Sequence, residues 1–570
     1  EMKLHKFKVK NYKVFNQEFS VDLLKENESE GNFTILTGKN NMGKSTFLEA
    51  INEFFKLPTK ALTIPSDCYN SKSNSIVLKA EISINKLKDA NLWNLLEKEG
   101  AIPEKTEEPQ VLNITKTYLV DKAATFVASM NGTALSKTLV TQVVKLINKE
   151  EPYYIRPNMS TEEIDKLINT IYSDAISASS EGDDTSLDGV NQQIKDAITE
   201  LKSDTDNLLR TVEEKVSEIL NNLFKNQDFK IKIEGSEPND FSIKDLLKNT
   251  DTKITIDSSA RKNMLLSEQG TGVQRMSLIY TIQNIINQKI GNLGNRMLLI
   301  DEPEAFLHPE ATRQLSSSLY DIGNVMPIII TTHSPVLINL ENDHTVIDIF
   351  KIDKNKSDAI TLFTSQESTF EADDTENMKI LNYVDSYVNE FFFSDKNIIV
   401  EGFTEKLVLQ YIQKKYNVPF HVINANGKAT IRTLMKILNQ FGTSYYVLHD
   451  IDNNPDHAKS TLKGARTNCI NILSSKTEYS KIFVHDFTFE KAFYGDTVES
   501  KNKTKQIFDI LESTDADVEK FEIRKDILTT YNKIFDLGIE ELVSELTNEK
   551  VIEITDEASI NSFFDDLIED

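Results

Sequence analysis

Several features common in other protein classes are scarce or missing in this 570-residue chain. Cysteine is nearly absent: Cys68 and Cys469 are too few and too far apart for a disulfide framework or a zinc module. No run of about 18 apolar residues occurs, which excludes a membrane-spanning helix. The opening Glu1-Met2-Lys3-Leu4-His5-Lys6 has no apolar signal-peptide core, and Glu1 ahead of Met2 reads as an appended residue. A cytoplasmic, membrane-free protein is expected. Positive charge is also in deficit, with 64 Lys and Arg against 89 Asp and Glu and a net charge of −25. A bulk field of that sign repels polyanions, so nucleic acid must be met by a local basic groove or by bound metal ions. What is present is ordinary for a folded protein: 39% hydrophobic and 27% charged residues exclude a wholly disordered chain. The length calls for at least two domains.

The N-terminal region alternates like β-strands through Leu4, Phe7 and Val9, and Phe33-Thr34-Ile35-Leu36-Thr37 runs into a glycine-bearing loop. Further strand patterns cover Ser75 to Ile84 and residues 107 to 130. From Ser160 to Phe224 the period becomes helical. Ser160 and Glu163 have capping-box spacing. Apolar residues then recur from Ile194 to Leu223, predicting a helix of about 35 residues, roughly 50 Å long. Such a helix either packs within the chain or dimerises. From Met297 onward, continuous apolar runs predict buried parallel strands between helices. A boundary is expected near 370 to 395, giving domains 1–385, with a mostly helical insertion at 150–250, and 386–570.

Two constellations carry chemistry. Gly38-Lys39-Asn40-Asn41-Met42-Gly43-Lys44-Ser45-Thr46 has phosphate-loop spacing between a strand and a helix. Gly38 and Gly43 let the backbone wrap a phosphate, amides from Asn40 to Thr46 face the anion, Lys44 spreads charge to the β- and γ-phosphates, and Ser45 ligates Mg²⁺. Leu298-Leu299-Ile300-Asp301-Glu302 ends a strand with Asp301 placed to hold Mg²⁺ and Glu302 to orient or deprotonate water. His333, ending the next buried strand, is either a core histidine or a γ-phosphate sensor. Ser267, Gly270 and Gly272 lie in a polar loop before an apolar helix. This loop resembles the signature loop of ABC-type ATPases, without a plain Leu-Ser-Gly-Gly-Gln. No Q-loop glutamine stands out between Ile51 and Ile82, which bears on hydrolysis rate more than on nucleotide binding. Asp301-Glu302-Pro303-Glu304 with Phe306-Leu307-His308-Pro309 is similar to the SMC, RecF and OLD branch of that class. Two such heads sandwich two nucleotides, so a homodimer or higher homo-oligomer is implied.

In the second constellation, Val400-Glu401-Gly402-Phe403-Thr404-Glu405 ends one apolar strand and Asp450-Ile451-Asp452 ends another. Parallel strands share one carboxyl edge, so Glu401, Glu405, Asp450 and Asp452 are expected to converge there. Crowded carboxylates need cations, and oxygen-only ligands favour Mg²⁺ or Mn²⁺. This arrangement resembles the TOPRIM fold. An ABC-type head followed by TOPRIM looks like the OLD (overcoming lysogenization defect) family, particularly the nuclease subunits of Gabija-like anti-phage systems. The fold implied is α/β: an SMC/RecF-like ATPase head with a helical insertion, then a Rossmann-like TOPRIM domain. The activity implied is an ATP-binding, nucleotide-regulated, Mg²⁺-dependent DNA endonuclease, with a possible helicase partner. A RecF-like DNA clamp and a TOPRIM strand-passage enzyme are the alternatives. The resemblance also implies a lysine after the Asp-x-Asp strand: Lys503 is the choice, with Lys501 and Lys505 as substitutes. Glu490, after the strand Ile482-Phe483-Val484-His485, is a candidate for an additional metal or orienting group.

Overall fold

The computed structural model describes residues 3–23, 32–56, 64–87, 89–103, 106–177, 210–218, 221, 230–234, 253–257, 262–287, 296–340, 347–364, 371–385, 388–494, 500–543 and 550–568. The chain divides into two units, Glu1–Leu337 with Thr345–Ile360, and Ile338–His344 with Thr361–Asp570. Residues 361–385, assigned to the first domain from sequence, therefore group with the second unit.

In the first unit, β1 (Lys3–Lys10), β2 (Phe19–Asp22), β4 (Ile76–Ile84), β5 (Gln110–Tyr118), β6 (Thr125–Met130) and β7 (Thr133–Ala134) form an antiparallel sheet ordered β2-β1-β4-β5-β6-β7. In β4 every second residue is buried (Ile76, Leu78, Ala80, Ile82, Ile84), so one face meets the core and the other faces outward. A second sheet contains β3 (Asn32–Thr37), β8 (Tyr153–Ile155), β12 (Leu298–Asp301), β13 (Pro327–Thr331) and β14 (Ile347–Lys351), in the order β14-β3-β13-β12-β8 with all pairings parallel. Strands β3, β12 and β13 are buried at every position, as continuous apolar runs in a covered parallel sheet should be. Asp301 stands opposite Thr331, and Thr331 opposite Leu36, so the three strands end on one edge. Three shorter strands, β9 (Lys230–Glu234), β10 (Lys253–Asp257) and β11 (Met264–Leu265), make a small antiparallel sheet.

Between 150 and 250 the described residues include β8, β9, the helix Thr161–Ser177 and the helical residues 210–218. The capping box forms there: Ser160 N–H donates to Glu163 Oε2 at 2.9 Å, and Glu163 N–H donates back to Ser160 Oγ at 3.3 Å. The apolar series from Ile194 to Leu208, and Ile219, Leu220 and Leu223 with it, lie outside the described residues.

The helix Lys44–Phe55 joins the two larger sheets of the first unit. Its buried Phe47 meets Phe7, Phe15 and Phe19 edge to face, with centroids 5.5, 6.4 and 6.0 Å away. At its C-terminal end, the fully buried Lys116 donates to the carbonyls of Phe54 and Lys56, and Asn148 donates to Lys56 as well. Burial lowers the Lys116 ammonium to about 7. Its position still favours a positive charge, because the helix end carries the negative pole of the peptide dipoles.

The second unit holds β16 (Asn397–Val400), β17 (His421–Asn424), β18 (Tyr445–Asp450), β19 (Ser480–His485) and β20 (Val551–Ile554), ordered β17-β16-β18-β19-β20. The first four are parallel and β20 runs antiparallel. Helices Phe403–Tyr416, Lys428–Leu438 and Lys459–Leu473 make the crossovers. The strand β15 (Ile360–Thr364) lies in sequence at the junction of the units.

Replacing Phe47 by alanine removes the ring that locks the phosphate-loop helix to the antiparallel sheet. A loss of about 3–5 kcal/mol is expected for a buried phenylalanine, read as a lower melting temperature of the first unit.

Candidate functional site

At the edge of the first unit, β3 ends and the chain turns through Gly38 (φ 137°), Asn41 (φ 62°) and Gly43 (φ 104°) into the helix at Lys44. A side chain at Gly38 would press on the Ile352 carbonyl at 2.6 Å, and one at Gly43 on the Phe15 ring at 2.6 Å, so both positions need glycine. Lys39, Asn40, Asn41 and Ser45 are exposed around the loop, and Thr46 is half-buried. Lys44 is buried and donates to the carbonyls of Gly38 and Lys39 at 3.0 and 3.1 Å. Burial lowers its pKa to about 8, against the opposing pull of Glu302, Asp301 and Glu304.

Asp301 Oδ1 accepts from Thr331 Oγ1 at 2.6 Å, and Glu302 sits in a left-handed turn (φ 47°) with its N–H donating to the Thr331 carbonyl at 3.1 Å. His333 Nε2 lies 3.9 Å from Glu302 Oε1. Burial first, then Lys44, keeps that imidazole below its usual pKa and therefore neutral at pH 7. The structure thus brings Lys44, Asp301, Glu302 and His333 to one edge.

Two residues that pattern reading missed organise this edge. Glu304 Oε1 accepts from Thr332 Oγ1 at 2.7 Å and from the His333 N–H at 2.8 Å, so it carries the histidine turn; burial raises its pKa. Arg275, buried on the helix Thr271–Asn287, donates to the carbonyls of Asp301, Glu302 and Ala305. Only the Asp-Glu-Pro-Glu spelling and the charge in an apolar helix hinted at either. In the signature-like loop, Gln274 Nε2 donates to the carbonyls of Ser267 and Gln269 at 3.0 and 2.7 Å. Gly270 is open to approach, whereas Gly272 backs onto the Phe306 carbonyl and Ser267 Oγ is buried with no hydrogen-bond partner among the described residues. Ser267 therefore needs a loop shift before it can reach a phosphate.

In the second unit, β16 and β18 are neighbours in register (Val400 opposite Leu448), and the carboxylates follow directly. Glu401 N–H donates to the Leu448 carbonyl at 3.1 Å, and Glu401 Oε2 accepts the Asp450 N–H at 3.0 Å. Glu405, in the first turn of the helix Phe403–Tyr416, is buried. Asp450 Oδ1 accepts from His485 Nδ1 at 2.8 Å and from the Phe489 N–H at 3.0 Å. Burial is the largest cause raising Glu401 and Glu405 to about 7 and Asp450 to about 8, and their mutual repulsion adds to it.

Lysines and histidine temper the crowding. Lys428, at the start of the helix Lys428–Leu438, donates to Asp452 Oδ2 and lies 3.9 Å from Glu401 Oε2. Burial alone would lower its pKa, but Glu401 and Asp452 outweigh that and raise it. Lys503 pairs with the buried Glu490 at 2.9 Å, and both act electrostatically on Asp450. Lys505 is exposed, and the side chain of Lys501 lies outside the described residues. The residues overlooked in sequence are Lys428 and His485. Lys428 was hidden because its helix follows β17, two strands from the motif it serves.

The donor chemistry fits a hard divalent cation. Glu405, Asp450 and His485 each present a ligand atom, all within 4.8 Å of one another. Both nitrogens of His485 are committed, however: Nδ1 to Asp450 and Nε2 to the Tyr531 hydroxyl at 3.1 Å. That histidine orients Asp450, and the carboxylates Glu401, Glu405 and Asp450 are the residues that would hold the ion, whereas Asp452, expected among the ligands, is paired with Lys428.

Residues 2–338 match the family described as AAA ATPase domain, and residues 392–452 match the overcoming lysogenization defect protein-like TOPRIM domain. The chain is 26% identical over 198 residues to the Old nuclease of Escherichia phage P2, covering 33% of each protein. It is 25% identical over 233 residues to endonuclease GajA of Bacillus cereus (strain HuB5-5), covering 35% of this chain and 33% of the relative. The matches thus span about a third of these relatives' length. An SMC head bound to the winged-helix domain of ScpA aligns at 14% identity over 63% of this chain and 97% of that one, with a TM-score of 0.39.

The raised carboxyl pKa values set a pH dependence. A carboxyl whose folded pKa exceeds its unfolded value retains a proton that the unfolded chain releases, so stability falls as pH rises between the two values. For Asp450 that window runs from 3.8 to about 8, and for the two glutamates from 4.5 to about 7. In EDTA, Asp450→Asn should gain melting temperature relative to wild type from pH 5 to pH 8. Mg²⁺ or Mn²⁺ should stabilise wild type more at pH 8 than at pH 5, and a pH-independent gap would contradict the assignment.

Proposed function

Because the chain belongs to the AAA ATPase domain family and carries a TOPRIM domain of the overcoming-lysogenization-defect type, we propose that it is an ATP-binding, nucleotide-regulated, Mg²⁺- or Mn²⁺-dependent DNA endonuclease acting in anti-phage defence. The observation that carries this reading is the convergence of Glu401, Glu405 and Asp450 at one sheet edge, with Asp452 and Glu490 held beside them by Lys428 and Lys503. Homodimerisation or higher assembly through the ATPase heads and a helicase partner belong to the same proposal.

In this reading Glu401, Glu405 and Asp450 hold the divalent cation, which when bound acidifies water and offsets charge on the phosphate. His485 fixes Asp450 through a hydrogen bond supported from behind by Tyr531. Water adds to phosphorus as the bond to the 3′-oxygen breaks, and a cluster carboxylate takes the water proton. The leaving oxygen gains a proton, which leaves a 5′-phosphate and a 3′-hydroxyl. Lys503, released from or sharing Glu490, supplies positive charge to the phosphate. A strand-passage enzyme would instead leave the DNA joined to a tyrosine.

In the first unit, Gly38, Asn40, Asn41, Gly43, Lys44 and Thr46 cradle the ATP phosphates, with Ser45 and Asp301 on its Mg²⁺ side. Glu302 orients the attacking water, and the neutral His333 faces the γ-phosphate. Ser267, Gly270 and Gly272 contribute to the nucleotide site of a second copy. Nucleotide bound here sets the cleavage rate of the second unit.

The test is plasmid cleavage with Mg²⁺ or Mn²⁺, with and without ATP. Asp450→Ala should lose at least about a hundredfold in rate, as expected when a ligand to a catalytic metal is removed. Lys44→Ala should cleave while no longer responding to ATP. Full cleavage by Asp450→Ala would sink the nuclease reading, and a rate indifferent to ATP in wild type would sink the regulatory one.

A further inference from the structure

The short helix Phe489–Tyr494 leans over the carboxylate cluster. Its first amide binds Asp450 Oδ1 at 3.0 Å, and Glu490, one residue on, is buried against Lys503. Its last residue, Tyr494, packs edge-on against Phe489, with ring centroids 5.8 Å apart. The Tyr494 hydroxyl is buried, yet it has no hydrogen-bond partner among the described residues. This contrasts with Tyr531, the neighbouring phenol, whose hydroxyl is committed to His485 Nε2.

An unbonded buried hydroxyl is costly, because it has given up water without gaining a partner. Burial, then the negative charges of Glu490 and Glu405, push the Tyr494 phenol well above its ordinary pKa. The group therefore keeps its proton and remains a donor near the acidic Glu490 and Glu405, neither of which it binds. What the hydroxyl lacks is an acceptor oxygen arriving from outside.

We propose that, once a shift of the helix Phe489–Tyr494 uncovers it, the Tyr494 hydroxyl donates a hydrogen bond to a non-bridging oxygen of the DNA phosphodiester being cut, a substrate contact that rests on the nuclease reading above. The contact strengthens as negative charge grows on that oxygen, so it favours the transition state over the bound substrate. Tyr494 is a donor here and not a nucleophile, so no covalent protein–DNA product forms.

The test is Tyr494→Phe in the full chain, which deletes one oxygen and keeps the ring. With plasmid DNA and Mn²⁺, kcat should fall about tenfold to a hundredfold, the range for losing one donor to a developing oxyanion, while KM stays nearly constant. The melting temperature should equal or exceed that of wild type, because the deleted group was unbonded. A wild-type kcat overturns the proposal, as does a lowered kcat accompanied by a lowered melting temperature, which marks a structural hydroxyl. Asp450→Ala, run in parallel, separates the two levels. If it is inactive while Tyr494→Phe cleaves at full rate, only the Tyr494 assignment fails. If wild type does not cleave, or cleaves no faster than Asp450→Ala, the nuclease reading falls and the assignment with it.

Discussion

The second unit is organised around a repulsion. Neighbouring parallel strands β16 and β18 end at the same level, and each delivers a carboxylate as it leaves the sheet. Burial strips water from Glu401, Glu405 and Asp450, so their charges oppose one another in a medium that screens poorly. Several surrounding interactions counter that strain, although Asp452 and Glu490 add to it. A backbone amide bridges Glu401 and Asp450, two further donors hold Asp450, and Lys428 and Lys503 each take one acidic neighbour. Such crowding is a poor way to stabilise a protein and a good way to hold a multivalent cation.

The first unit uses the same device of parallel strands ending together, with the opposite polarity. Its edge gathers a glycine loop, a helix N-terminus and the buried Lys44, which together suit an anion. The acids Asp301, Glu302 and Glu304 stand across from that lysine, close enough to pull on its charge. Arg275 is central because its three carbonyl contacts tie the helix after the signature-like loop to the turn that presents Glu302. A left-handed Glu302 in that turn is a conformation with an energetic cost, and the guanidinium helps hold it.

Much of this was legible in the sequence because the motifs are local. Glycine spacing, an Asp-Glu after four apolar residues, Glu-Gly-x-x-Glu and Asp-x-Asp each declare themselves within ten residues, and the TOPRIM resemblance drawn from the last two agrees with the domain matched over 392–452. Residues that act through tertiary contact were not legible. His485 reads as the end of an apolar strand, and only the β18–β19 pairing places it against Asp450. Lys428 reads as the first residue of a helix, and Tyr494 as one of 17 tyrosines. The three-stranded sheet β9–β11 also escaped, since short strands beside a helical period leave little pattern.

The acidic balance of the chain acquires a mechanism at this point. A protein of net charge −25 that meets DNA must reverse the local sign where the phosphate enters. Around the cluster, five carboxylates (Glu401, Glu405, Asp450, Asp452 and Glu490) face two ammonium groups, Lys428 and Lys503, an excess of three negative charges when all are ionised. A phosphodiester approaching that field is repelled. Protonation of the raised carboxyls weakens the repulsion but leaves nothing to draw the phosphate in. In the nuclease reading, a divalent cation held by Glu401, Glu405 and Asp450 cuts that excess of three negative charges to one and gives the phosphate a cation to bind. In that reading the cluster admits a phosphodiester only after its cation, because the carboxylates that repel the phosphate are the groups that hold the ion.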